Sequence, residues 1–166
     1  MADPRLLSRC GIYCGACYVY RAERDGGTLL DELSAKIGVS RDEIKCNGCS
    51  GPVGEQWPNC QNCHFKTCQS GKGVENCAQC SDFETCPDYK RAIDFTTYRG
   101  EDMREGVSRI GAGDGEAWLA EQGKLWSCPA CGQPLMWYDN NCRRCGEKVK
   151  QGPVMWTPAP RSEPRP

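Results

Sequence analysis

The stretch "CPACGQPLMWYDNNCRRCGEKV", residues 128–149, decides how the chain must be read. It holds two C-x2-C-G knuckles, Cys128/Cys131 and Cys142/Cys145, separated by ten residues. A knuckle presents two thiolates from one tight turn, and Gly132 and Gly146 supply the positive φ that such turns often need. Four thiolates around one ion make a closed tetrahedral site of the structural zinc type. The intervening "PLMWY" reads as a strand and "DNN" as a turn, so the predicted element is a zinc-ribbon hairpin over 128–150. Rubredoxin-type iron uses the same four sulfurs, and the knuckles alone do not separate the two metals. Arg143, Arg144, Lys148 and Lys150 make the second knuckle basic, with Trp137 and Tyr138 as candidate stacking rings. That pattern admits RNA contact; a solvated basic edge is the plainer reading.

Outward from the ribbon, the cysteines define the molecule. The chain has 166 residues and 15 cysteines, an aromatic content of 8% and a formal charge of −1, with mean hydropathy −0.65. A core built from this inventory is thin, and small thin-cored proteins need cross-links to offset chain entropy. No apolar run at the start resembles a secretory signal, and none approaches a membrane span. The expectation is therefore an unexported, cytoplasmic chain in a reducing compartment, where cysteines stay as thiols. Their odd number and C-x2-C spacing favour metal over disulfides. The near-neutral charge gives no global attraction to nucleic acid or to an anionic membrane.

Eleven cysteines lie before residue 87, none between 87 and 127, and four after. The expected organisation is a cysteine-rich metal-binding lobe over 1–86, a helical segment over 87–127, the ribbon over 128–150 and a proline-rich, disordered tail over 151–166. In that tail, Met155 and Trp156 are the residues able to dock. The fold class expected is a small metal-stapled α+β protein. Within the lobe, Leu29, Leu30, Leu33 and Ile37 share a helical face that Gly38 ends, and Ser40 to Glu43 has capping-box spacing. Residues 46–86 read as metal-held loops, and "SGKG" as a turn closing a short helix. Pro87 suits the first position of a helix. Met103, Val107 and Ile110 line a second, "GAGDG" breaks it, and Trp118, Leu119 and Leu125 belong to a third.

The candidate ligands of the lobe are Cys10, Cys14, Cys17, Cys46, Cys49, Cys60, Cys63, Cys68, Cys77, Cys80 and Cys86, with His64, the only histidine, as a further donor. Two partitions arise. Twelve donors make three closed four-ligand sites; alternatively, Cys46 through Cys86 make two, leaving Cys10, Cys14 and Cys17 as a set of three. C-x3-C-x2-C is the spacing with which radical S-adenosylmethionine enzymes hold a 4Fe–4S cluster. This chain lacks the strands of their barrel, so a small iron–sulfur redox protein is the form in which that alternative survives. The bacterial ferredoxin run is absent. No catalytic constellation assembles. An open zinc would need a carboxylate, and nothing selects among Glu55, Glu75 and Glu84.

Taken together, "CGIYCGAC", "CNGC", "CQNCHFKTC", "KGVENCAQCSDFETCP" and the "AWLAEQGKLW" helix leading into the ribbon resemble the cysteine-rich family catalogued as domain of unknown function 3795, over roughly residues 9–148. The resemblance implies a small, cytoplasmic, zinc-binding prokaryotic protein, frequent in anaerobes, with no assigned reaction. It carries over metal-ligand character to the cysteines named above and no catalytic role. "GAGDGE" is more glycine-rich than the resemblance leads one to expect. The reading that results is a mainly structural zinc protein acting as an interaction module. Its partner is another protein, or RNA through the ribbon edge, and not a membrane.

Overall fold

The computed structural model describes residues 3–98 and 100–149, apart from the side chains of residues 95 and 98. Lys150, Met155, Trp156 and the proline-rich tail lie outside the described residues. The chain is mostly helical: α1 Tyr18–Asp25, α2 Gly27–Ile37, α3 Pro58–Gln61, α4 His64–Lys72, α5 Pro87–Tyr98, α6 Met103–Gly111 and α7 Gly115–Leu125. Short 3-10 turns occupy the loops between them, including Cys14–Ala16 and Cys77–Gln79.

The helix ends follow from local chemistry. Gly38 closes α2 in the left-handed conformation, φ 71°, where a Cβ is penalised. Ser40 and Glu43 form the expected capping box, the Ser40 N–H donating to Glu43 Oε2 at 2.8 Å. Pro87 opens α5, and Asp102 caps α6 by accepting the Arg104 N–H. The predicted break at 111–115 separates α6 from α7.

Four apolar clusters hold these pieces together. The first joins Val19, Tyr20 and Ala22 of α1 to Leu33 of α2, Ile44 and Cys46. The second joins Cys10 and Cys77 to Tyr89 of α5 and Met103 and Val107 of α6. The third sets Tyr13 and Ala16 against Trp118 and Leu119 of α7 and Trp137. The last lies inside the C-terminal module, on Cys128, Leu135, Cys142 and Val149. Residues 10–17 thus feed three of the four cores, and the helical middle is packed directly on the cysteine lobe. Leu125, expected in the packing, is exposed.

The β component expected of an α+β fold reduces to isolated antiparallel bridges, Leu7 with Tyr13, Ser127 with Pro134, and Asn141 with Lys148. Among the described residues no ladder forms, and "PLMWY" is not a strand. Pro134 has no N–H to give. The Leu135 N–H goes to Trp126 O at 2.8 Å and the Trp137 N–H to Ala16 O at 3.0 Å. Asp139 folds the segment into a turn, accepting the Met136 N–H at 2.8 Å. With the Leu135, Met136 and Trp137 donors engaged in this way, the segment does not continue as a strand.

Candidate metal centre

Each C-terminal knuckle is a self-contained turn. Cys128 N–H bonds Gln133 O at 2.9 Å, and Gly132 N–H returns to Cys128 O at 2.9 Å. The second knuckle repeats this, Cys142 N–H to Glu147 O at 2.7 Å and Gly146 N–H to Cys142 O at 2.9 Å. Gly132 and Gly146 have φ of 72° and 77°, as their place after each second cysteine implies.

The two knuckles face one another. Sγ of Cys128 lies 3.6 Å from that of Cys145, and Sγ of Cys131 lies 3.6 Å from that of Cys142. All four sulfurs fall within 4.8 Å of one another. A tetrahedron of sulfurs at a zinc–thiolate bond length has edges of about 3.8 Å, so the donor set fits one tetrahedral ion. No other set of three Cys, His, Asp or Glu donors among the described residues closes to that extent. Burial resists ionisation of Cys142. The backbone N–H groups of Cys145 and Arg144 and the thiols of Cys131 and Cys128 outweigh it and bring Cys142 down to about 7. Against the Glu147 N–H, which opposes the rise, the same set of thiol hydrogen bonds pushes Cys145 up to about 12, so the favoured thiolate is Cys142 and not the whole set.

The basic edge differs from its sequence reading. Trp137 is buried, 3% exposed, with its ring edge-on to Tyr18 at 6.4 Å, and is closed to a nucleobase. Tyr138 lies 6.1 Å from the same Tyr18 ring. Arg143 is committed within the molecule, to Asp25 at 2.9 Å and Asp139 at 3.1 Å. Arg144 and Lys148 remain exposed.

In the N-terminal lobe the thiols gather into more than one neighbourhood. Cys10 sits in the core with Cys77, 3.3 Å from Ser8 Oγ. Burial pushes it up to about 12, helped by the charges of Cys63 and Cys77. Cys14 instead accepts the Cys49 N–H at 3.4 Å. Cys17 packs against the first core, beside Cys46; burial pushes it up to about 12, with Cys46 and Cys60 adding to the rise. Cys10, Cys14 and Cys17 do not close to within 4.8 Å of one another as a set. Cys60 is raised above the ordinary thiol range by its hydrogen bond to Cys49 and by burial.

Cys68, Cys77, Cys80 and Cys86 line a small cavity of about 30 Å³ between α4 and α5, together with His64. Gln69 Nε2 donates to Cys77 Sγ at 3.1 Å and Lys72 Nζ to Cys80 Sγ at 3.5 Å. His64 points Nε2 at Asp88 Oδ2, 2.9 Å away, so that nitrogen serves a carboxylate. Sequence reasoning passed over Gln69, Lys72 and Asp88. Their positions, one or four residues after Cys68 and one after Pro87, are the only signal they leave.

The family described as "Protein of unknown function (DUF3795)" matches residues 6–91. The chain belongs to this family. The matched stretch contains all eleven lobe cysteines and the start of α5; α6, α7 and the C-terminal knuckles lie beyond it. Searches of curated proteins and of solved structures give no match. No helix among the described residues is long and apolar enough to cross a membrane.

Proposed function

We propose that this DUF3795 protein is a zinc-stapled scaffold whose metals build a surface for a protein partner. The observation that carries it is the closure of Cys128, Cys131, Cys142 and Cys145 to within 4.8 Å. Four thiolates fill a tetrahedral zinc, leaving no position for water or substrate, so the ion's contribution is folding energy and not Lewis-acid chemistry. The lobe thiols belong to the same design, as further ligands in the 1–86 unit beside the 87–127 helices, the 128–150 module and the 151–166 tail. A protein partner is favoured over RNA because Trp137 is buried and Arg143 is paired inside the molecule. A prokaryotic cytoplasm suits so many reduced thiols.

The iron–sulfur alternative requires Cys10, Cys14 and Cys17 to converge, and Cys10 instead keeps company with Cys77. The test is anaerobic titration of metal-free protein with Co²⁺, which gives a tetrathiolate site intense visible absorption. The Cys128→Ser/Cys131→Ser variant should take up one equivalent fewer than the parent. Equal uptake by both would remove the ribbon site from the account.

A further inference from the structure

We propose that Cys14, Cys17, Cys46 and Cys49 together hold one thiophilic divalent ion, a second metal centre separate from the C-terminal one. Two C-x2-C pairs far apart in sequence are brought face to face. The first sits on the 3-10 turn Cys14–Ala16, with Cys17 as the residue that enters α1. The second, "CNGC", follows the capping-box turn after α2. They are linked by the Cys49 N–H donated to Cys14 Sγ at 3.4 Å. Cys17 packs against the apolar cluster that contains Cys46.

The bland account of buried cysteines is that they fill apolar space. Cys14 and Cys46 are indeed buried, 4% and 5% exposed. A space-filling thiol faces carbon, however, and the Cys14 sulfur faces the Cys49 backbone amide. Gly48 carries φ 86° inside its knuckle, and a Cβ there would run into Arg5 O. The turn is therefore pressed against the chain before the first pair and has a fixed position. No three of these four sulfurs lie within 4.8 Å of one another, as those of the C-terminal set do, so ligation draws the side chains inward.

Cys60 is a further thiol beside this set, its N–H bonded to Trp57 O at 2.7 Å, with Trp57 packed on the cluster that contains Cys46. With two complete pairs supplying four ligands, Cys60 stays outside the ion.

Native mass spectrometry of the full chain loaded with zinc, at a chelator concentration that leaves the parent fully loaded, tests this. Cys14→Ser and Cys46→Ser should each lose one zinc, and the double variant the same single zinc. Cys60→Ser should lose none. Loss of two ions by the double variant, loss of none, or loss of one by Cys60→Ser would overturn the assignment. Should the variants fail to fold, the unmodified protein still answers. Stepwise chelation followed by alkylation should label Cys14, Cys17, Cys46 and Cys49 in step. Labelling of Cys14 in step with Cys10 would contradict it. Failure of the C-terminal reading is distinguishable: Cys128→Ser/Cys131→Ser would then lose no zinc while Cys14→Ser still lost one, which leaves the present proposal standing.

Discussion

Gly11 and Gly106 meet backbone to backbone. A Cβ on Gly106 would strike the Gly11 carbonyl, and one on Gly11, at φ 89°, would strike Met103 O. This approach lets the cysteine-bearing loop lie on α6, where the Tyr89 hydroxyl reaches Met103 O at 2.9 Å and Cys10 O at 3.2 Å. Gly106→Ala should therefore destabilise the protein by about 1–3 kcal/mol, the usual cost of overpacking, as a lowered thermal midpoint; an unchanged midpoint would show that α6 has room to shift. Trp118 is 1% exposed and its indole N–H has no partner among the described residues. Trp118→Phe keeps most of the packing and removes that unsatisfied donor, so denaturant titration should show a small loss beside the ~3–5 kcal/mol expected of Trp118→Ala. Neither glycine announced itself in the sequence. A glycine inside "REGVSRIG" reads as a mild helix weakness, and only the tertiary contact makes it a requirement.

At the scale of elements, the caps and stops were legible because they depend on near neighbours: Gly38 after α2, Ser40 with Glu43, Pro87 at the head of α5. The knuckles were legible for the same reason. The hairpin between them was not, because the fate of the Trp137 N–H depends on Ala16, more than a hundred residues away. The grouping of the lobe thiols was equally hidden, since spacing joins Cys10 to Cys14 and gives no sign that Cys10 packs with Cys77, 67 residues later. The two thiol sets also differ electrostatically. Burial pushes Cys17 up to about 12, and Cys46 rises for the same cause, whereas Cys142 is brought down to about 7. A metal must displace each thiol proton, and a raised pKa makes the proton the stronger competitor. As pH falls, zinc should leave the N-terminal lobe first and Cys128–Cys145 later, although Cys145, pushed up to about 12, narrows the interval. Zinc retention followed by pH-stepped dialysis checks this; release in the opposite order would show that the lobe thiolates are better supported than their burial implies.

Across the whole molecule, the C-terminal module is fastened to the lobe by Trp137 N–H on Ala16 O and by Arg143 on Asp25. Ala16 lies between Cys14 and Cys17, so the two proposed centres share a short stretch of backbone. With aromatic cores this small, chelation should melt the lobe before α5 to α7. Tyrosine and tryptophan near-ultraviolet signals should fall early, and part of the far-ultraviolet helical signal should persist. Full retention of both after complete metal removal would mean that the cores suffice alone. The most direct measurement is metal content with a visible spectrum on protein made and purified without oxygen. The account predicts colourless protein carrying at least two zinc per chain. Iron with acid-labile sulfide and a broad brown absorption, or a folded chain with no metal, would contradict it.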